Sequence, residues 1–267
     1  MAMPIARLNS RAAIAVTGPE ARHFLHNLLT QDVETIAAAE LRFGALLTPQ
    51  GRLMVDVMIW GQDDGVLLDV PTDARDGLVQ RLSMYKLRAD VQIAADDRPV
   101  LVAWGDVPDD FIADPRLAGL GGRAIGADTL PNATETDWHA HRLALGVAEA
   151  AYDAPKDKTY PIEANFDLMN GIDFHKGCFV GQETTSRMKR RGTIKNRLLP
   201  FTFEGDAPEV GTEVLNGERR AGEVTSVQGQ AGMALMRLDR MEGDLTVNGQ
   251  PVTVTRPDWV PALPAAE

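Results

Sequence analysis

Cys178 is the only cysteine in the 267-residue chain, and it sits in a run that could support sulfur chemistry, His175-Lys-Gly-Cys-Phe-Val-Gly-Gln-Glu183. The thiolate is the form of cysteine that attacks electrophiles or binds metal. His175 and Lys176 would favour that form by charge, as would a helix N-terminus beginning near Gly181. Glu183 opposes it unless it faces away or pairs with the basic run that follows. Gly177 and Gly181 permit close backbone approach to a ligand, or conformations closed to other residues. The plain alternative is a small buried side chain in a tight turn, the usual fate of a free cysteine.

The next stretch, Ser186 to Arg197 (SRMKRRGTIKNR), carries six Lys/Arg in twelve residues and no acid. It reads either as a solvated helix face or loop, or as an anion site. The chain as a whole has a net charge of −11, which argues against non-specific nucleic-acid binding. A zinc or iron–sulfur site held by this chain alone would need about four Cys/His ligands. One cysteine and the five histidines (His23, His26, His139, His141 and His175) show no sustained ligand pattern. His139 and His141, two apart on an expected helix, do not share a face. No P-loop and no GxGxxG is present. A lone cysteine cannot form an internal disulfide, so a cytoplasmic chain is the expectation. No apolar run approaches the ~18–20 residues that cross a bilayer, and no signal-peptide core opens the sequence.

The elements around these residues follow from periodicity. AAIAVTG reads as a strand ending at Gly18. PEARHFLHNLLTQDV reads as a helix, with Pro19 in its first turn and Phe24, Leu25, Leu28 and Leu29 inward. LRFGALLTPQGRLMVDVMIWG gives two strands joined at Thr48–Gly51, and GVLLDVP gives another. DARDGLVQRLSMYKL is an amphipathic helix burying Leu78, Leu82, Tyr85 and Leu87. ADVQIAA and PVLVAW are strands. This order predicts an α+β domain whose helices cover one face of an antiparallel sheet. TDWHAHRLALGV is a helix with Thr136 or Asp137 as N-cap. From residue 196 the texture becomes short alternating strands, with Asn216-Gly217 and Asn248-Gly249 as hairpin turns. Five or six such strands predict a small antiparallel barrel or sandwich, ending in a loose tail, PALPAAE. Trp60 reads as a core residue or a cavity lining.

Lys176 to Glu183, KGCFVGQE, resembles the K-G-C-[YF]-x-G-Q-E signature of the YgfZ / folate-binding branch of the GcvT (glycine-cleavage T-protein) superfamily. The likeness extends through VTGPEARHFLHNLLTQDV, LLTPQGRLMVDVMIW, LSMYKLRADVQI, PIEANFDLMNGIDFHKGCFVGQE and TSRMKRRGTIKNRL. Within that branch the sequence is similar to the subgroup of iron–sulfur cluster assembly factors. The resemblance implies a GcvT-like α+β fold, with subdomains at 1–105 and 106–195 around a central cavity and a C-terminal β-barrel at 196–267. It implies tetrahydrofolate binding and a part in iron–sulfur cluster assembly or repair. Cys178 would be a ligand to a cluster shared with a partner, such as an A-type carrier protein, or a redox-active thiol. Lys176 would support its ionisation. The pterin would meet a polar floor including Asp56 and Glu163. The glutamate tail would meet Arg187, Lys189, Arg190 and Arg191, while Gln182 and Glu183 cap the turn or contact ligand.

Two positions depart from the family pattern. Phe179 stands where tyrosine is commoner, which removes a hydroxyl. The acidic pair of the T-protein is here Val55-Asp56, so one acid survives. A folate-dependent aminomethyl or methyl transferase is therefore the alternative reading, with Asp56 as its chemical group. A non-catalytic folate-binding module linked to tRNA modification is a further one, set back by the net negative charge.

Overall fold

The computed structural model describes residues 3–192 and 194–261. Thr193 in the basic run and residues 262–267 of the expected tail lie outside the described residues. The chain runs β1 (Ile5–Arg7), β2 (Arg11–Thr17), α1 (Ala21–His26), β3 (Leu41–Leu47), β4 (Leu53–Gln62), β5 (Gly65–Pro71), α2 (Arg75–Tyr85), β6 (Gln92–Asp96), β7 (Val100–Ala103), β8 (Ile112–Ala113) and β9 (Gly122–Ile125). It continues through α3 (Glu135–Ala144), α4 (Ala150–Asp153), α5 (Gln182–Arg191), β10 (Asn196–Phe203), β11 (Glu213–Asn216), β12 (Arg219–Gln228), β13 (Ala231–Arg237), β14 (Leu245–Val247) and β15 (Gln250–Val254).

The strands form three antiparallel sheets. The first has the order β3-β4-β5-β2-β6, and its two faces are separated by the two-residue period of a strand. Val55, Val57 and Ile59 of β4 pack with Leu25 of α1 and with Leu78 and Leu82 of α2. Met58 and Trp60, on the opposite face, pack with Phe43, Trp138, Phe166 and Phe179. Helices thus cover one face, as the pattern predicts. The other face is buried against the rest of the molecule, which makes Trp60 a core residue at 5% exposure.

The helices depart from expectation in instructive ways. The stretch 19–29 supports only the short α1. After His26 the chain is drawn to the edge of the sheet: Leu29 bridges Leu46, and the Thr30 N–H donates to the Ala45 carbonyl at 3.0 Å. Pairing with β3 satisfies backbone groups that a longer helix would have satisfied internally. In α2, Leu78 and Leu82 are buried, but Tyr85 and Leu87 are not, at 41% and 86% exposure. Tyr85 is the last residue of the helix, and Leu87, with φ of 46°, lies beyond it where the helical periodicity no longer places a side chain inward. α3 starts one turn earlier than expected, at Thr134. The Thr134 hydroxyl accepts from the Asp137 N–H, and the Asp137 carboxylate accepts from the Thr134 N–H. Asp137 is therefore the third-residue partner of a capping box rather than the cap.

The second sheet has the order β1-β7-β9-β8. It takes one strand from the start of the chain and three from residues 100–125. The division expected near residue 105 therefore runs through this sheet. The third sheet closes as a six-stranded barrel, β10-β13-β12-β11-β14-β15, around Leu199, Phe201, Val224 and Met236. Asn248 and Gly249 take φ of 51° and 78° at the turn between β14 and β15, as a type I′ turn needs. The other hairpin differs. Asn216 stays in β11 opposite Arg219, and Gly217 takes the positive φ. The Asn216 side-chain amide instead donates to the carbonyls of Arg240 and Glu242.

Candidate functional site

The cysteine loop is built by its neighbours in sequence. The Asp173 N–H donates to the Thr30 carbonyl at 2.9 Å, and its carboxylate accepts from the N–H groups of His175 and Lys176 at 2.7 and 3.2 Å. The Lys176 ammonium donates to the carbonyls of Leu29 and Gln31 at 2.6 and 3.0 Å, and to that of His26. These carbonyls lie at and just beyond the C-terminus of α1, where a helix leaves acceptors unmatched and favours positive charge. Phe179 is buried, and the ammonium lies 5.3 Å from its ring centroid. Gly181 caps α5 with φ of 79°, and a Cβ there would sit 2.6 Å from the Thr48 carbonyl oxygen. The loop is thus pinned at both ends, by Lys176 against α1 and by Gly181 against the β3–β4 turn.

Between those anchors Cys178 is exposed. The sulfur is reachable rather than packed as filler. Lys176 takes a different part from the one expected of it. An ammonium has three donors, and all three are committed to backbone carbonyls. Burial draws its pKa down to about 8, against the upward pull of Asp32, Asp173 and Glu34. At Gly177 only one heavy atom, Nε2 of His26, lies within 4 Å of where its Cβ would be, so no protein neighbour requires a glycine there.

α5 carries the rest of the motif. Gln182 and Glu183 open the helix, and no side chain caps it, so the capping role falls to Gly181 alone. Glu183 is exposed in the first turn, where a carboxylate suits the helix dipole. Arg187, Lys189, Arg190 and Arg191 are all exposed along the remainder of the helix. The Lys189 ammonium lies 5.0 Å from the Phe174 ring, which brings the basic helix back onto the start of the cysteine loop.

Asp56 and Glu163 lie elsewhere and in separate networks. Both carboxylate oxygens of Glu163 are engaged, one by the Tyr160 N–H at 3.0 Å and one by the Asn196 amide at 3.1 Å. Glu163 therefore ties the segment before the motif to β10. Asp56 is 3% exposed, and its Oδ2 accepts from Arg11 Nη1 at 2.7 Å. Its Oδ1 has no hydrogen-bond partner among the described residues. Asp56 borders a small pocket with Met54, Pro71, Ala150, Ala154 and Lys156.

Arg11 belongs to a ring of charges that the sequence reading missed. Its Nε donates to Asp69 at 2.6 Å, and Asp69 accepts from Arg123 at 2.8 Å. Arg123 donates to Asp114 at 3.0 Å, and Asp114 is chelated by Arg116. Arg116 donates to Glu149 at 2.9 Å, and Glu149 returns to Arg11 at 3.2 Å. Three guanidiniums alternate with three carboxylates, and Asp56 hangs from Arg11 as a fourth acid. Burial raises the pKa of Asp56, Glu149 adds to the rise, and Arg11 opposes both. Burial would also raise Glu149, but Arg116, Arg11 and Arg123 overcome it and hold that carboxyl well below the usual range. The signal available in sequence was a charged residue inside an otherwise apolar strand, Arg11 in RAAIAVT and Asp69 in GVLLDVP.

Comparison with known proteins agrees with this architecture. Residues 195–262 match the CAF17 C-terminal beta-barrel domain. The chain is 32% identical to the iron-sulfur cluster assembly factor IBA57, mitochondrial, of Mus musculus, with 96% of this chain and 85% of that one covered. It is 28% identical to the Homo sapiens protein of the same name over the same shares. The crystal structure of the glycine cleavage system aminomethyltransferase T from Bartonella henselae superposes with a TM-score of 0.75, covering 97% of this chain and 86% of that one. At 15% identity that likeness speaks for the GcvT-like fold alone. The chain belongs to the IBA57 family of iron-sulfur cluster assembly factors. The cytoplasmic expectation is corrected by the same relatives, which are mitochondrial proteins by name. A lone cysteine reports only that no internal disulfide forms, and that holds in any compartment that keeps thiols reduced.

Proposed function

We propose that this chain acts in iron–sulfur cluster assembly by presenting Cys178 as one ligand of a cluster shared with an A-type carrier protein. The observation that carries this reading is the exposed thiol on a loop fixed at both ends by Lys176 and Gly181. A single thiolate cannot hold a cluster, but it can complete one whose other ligands a partner brings. The loop is anchored through backbone groups, so the sulfur can form and release a bond without the fold rearranging. Lys176 is a positioning residue here. The test is to mix the chain with a purified carrier, iron and sulfide, and to follow visible absorbance. A shared chromophore is expected with wild type and not with Cys178→Ser. Equal spectra from the two would remove the ligand role.

Tetrahydrofolate is the proposed small-molecule ligand. Asp56 fits a pterin N–H, because it borders a pocket and only its Oδ2 is engaged by a side chain, and the exposed cations of α5 fit an anionic tail. Glu163 already accepts from the Tyr160 N–H and the Asn196 amide, one on each oxygen, so a pterin N–H would use a remaining lone pair there. Titration with tetrahydrofolate, read by tryptophan fluorescence, should saturate, and a flat response would remove folate from the account. The buried, upshifted carboxyl of Asp56 also favours a second reading, a one-carbon transferase. That reading requires turnover of a methylated amine with tetrahydrofolate that Asp56→Asn abolishes.

A further inference from the structure

The turn that ends α2 displays apolar surface that neither the cysteine loop nor the charge ring uses. Among the described residues seven large hydrophobic side chains are exposed, and three of them, Met84, Tyr85 and Leu87, fall within four consecutive residues. Scattered exposed apolar side chains are ordinary, but a contiguous cluster marks an interaction site. Leu87 is the most exposed of the seven, at 86%. It also holds φ of 46°, in the left-handed region that a bulky side chain disfavours. The other described non-glycine residues at positive φ are alanine, aspartate and asparagine. No packing of Leu87 within the chain offsets that strain.

Hydrogen bonds hold the turn in place. The Lys86 ammonium donates to the Val91 carbonyl at 2.9 Å, and the Ala89 N–H donates to the Lys86 carbonyl at 2.7 Å. The Asp90 N–H donates to the Glu20 carboxylate at 2.6 Å, which ties the turn to the residue before α1. A leucine presented on a fixed backbone loses little entropy when a partner covers it. Its surroundings are cationic. Arg88 is exposed and Arg81 half-buried, and neither has a carboxylate partner among the described residues. From Arg81 to Asp90 there are three cations and one acid, Asp90, in a chain of net charge −11. The complement of such a surface is an apolar groove with an acidic rim. Helix α1 joins this turn to the cysteine loop, since Glu20 stands at its start and the Lys176 ammonium holds the carbonyl of His26 at its end. A helix of that length spans about 9 Å. A standard interface covers about 800 Å² of each partner, a disc roughly 30 Å wide, so one partner can cover both.

We propose that the turn at 84–88 is the docking surface for the protein that shares the cluster, with Leu87 as an apolar anchor entering a groove on that partner and Arg81 and Arg88 facing the groove's acidic rim. The proposal rests on the reading of this chain as one half of a shared-cluster complex. It adds that affinity comes from a surface apart from the metal, so the two proteins associate before any cluster forms.

The test measures binding without iron or sulfide. The full chain is titrated with a purified, cluster-free A-type carrier in a calorimeter. Wild type is expected to bind, and Leu87→Asn to bind about 10- to 100-fold less tightly. Asparagine accepts positive φ, so the thermal midpoint of Leu87→Asn should hold or rise, which separates docking from folding. Arg88→Glu should weaken binding and flatten its salt dependence. Val210→Asn, at an exposed valine between β10 and β11, should bind as wild type does. No binding by wild type, equal affinity of Leu87→Asn, or an equal loss in Val210→Asn overturns the docking role. A wild-type dimer that Leu87→Asn converts to monomer, with carrier binding unchanged, also overturns it, because the turn would then be a self-contact. Binding to phosphatidylserine vesicles that depends on Leu87, in place of the carrier, overturns it as well. If Cys178→Ser loses the shared chromophore while Leu87→Asn binds normally, the docking surface falls and the ligand reading stands. If Cys178→Ser gives the wild-type chromophore while Leu87→Asn binds weakly, the ligand reading falls and the docking surface stands.

Discussion

The cysteine loop and the buried charge ring solve opposite problems with the same groups. In the ring, Arg11, Arg116 and Arg123 pair with Asp69, Asp114 and Glu149, all essentially out of water. Such pairs repay their desolvation only when geometry is good and every lone pair is used. In the loop, a single lysine faces no carboxylate at bonding distance and is matched to three backbone carbonyls. The ring holds charge in place between the two α+β sheets. The loop uses charge to hold backbone, and so leaves its sulfur outside. Asp56, the acid that the family resemblance marks for chemistry, is tied to the ring through its Oδ2 and also borders the adjacent pocket.

That contrast can be broken by substitutions graded in their effect on stability. Arg11→Met should cost the most, about 3–5 kcal/mol, because it leaves buried Asp56 without its ion-pair partner and takes one of the two arginines from each of Asp69 and Glu149. Urea unfolding measures it, and a loss under ~0.5 kcal/mol would mean the ring does not hold the sheets. The ring also predicts acid lability. The Glu149 pKa is depressed in the folded chain, so its contribution is full above the ordinary glutamate value near 4.3 and is lost as pH falls below it. Asp56, raised by burial, works in the opposite sense, so Asp56→Asn should leave the acid-side loss at least as steep.

Gly181→Ala comes next, at about 1–3 kcal/mol, since φ of 79° and the Thr48 oxygen both reject a Cβ. Its thermal midpoint should fall, and the shared chromophore should weaken because the loop loses an anchor. An unchanged midpoint would argue that the β3–β4 turn does not pin the loop.

Lys176→Met should cost about 1–3 kcal/mol by leaving partly buried carbonyls unmatched. It carries a pH signature. A lysine whose folded pKa is near 8 binds fewer protons folded than unfolded between that value and about 10.4. Wild-type stability should therefore rise with pH across that window relative to the variant. Parallel curves would contradict the burial of the ammonium. The smallest effect belongs to Cys178→Ser, within about ±0.5 kcal/mol because the side chain is exposed. That variant should nonetheless lose the shared chromophore entirely.

Much of this was legible in the residues. The run LRFGALLTPQGRLMVDVMIWG gave two strands of an antiparallel sheet with helices on one face, and Asn248-Gly249 gave a hairpin. The cysteine motif was visible as eight contiguous residues, as was the basic helix after it. The readings that failed did so where a distant partner outbid local preference. Leu29 and Thr30 left a helical pattern to pair with Leu46 and Ala45. Asn216 gave up its turn to hold the carbonyls of Arg240 and Glu242.

The sequence by itself determined the elements, the family and the identity of the one sulfur, because each of these is written in neighbouring residues. Only the tertiary structure decided that Lys176 is anchored on the end of α1, that Arg11 closes a ring with Glu149, and that His26 faces Gly177. The reason is range. Propensity and periodicity act over a turn or two, whereas Lys176 and its first acceptor stand 150 residues apart, and Arg11 and Glu149 stand 138 apart. Whether a charge meets a carbonyl, a carboxylate or an imidazole is settled only when packing brings those stretches together and water is excluded between them.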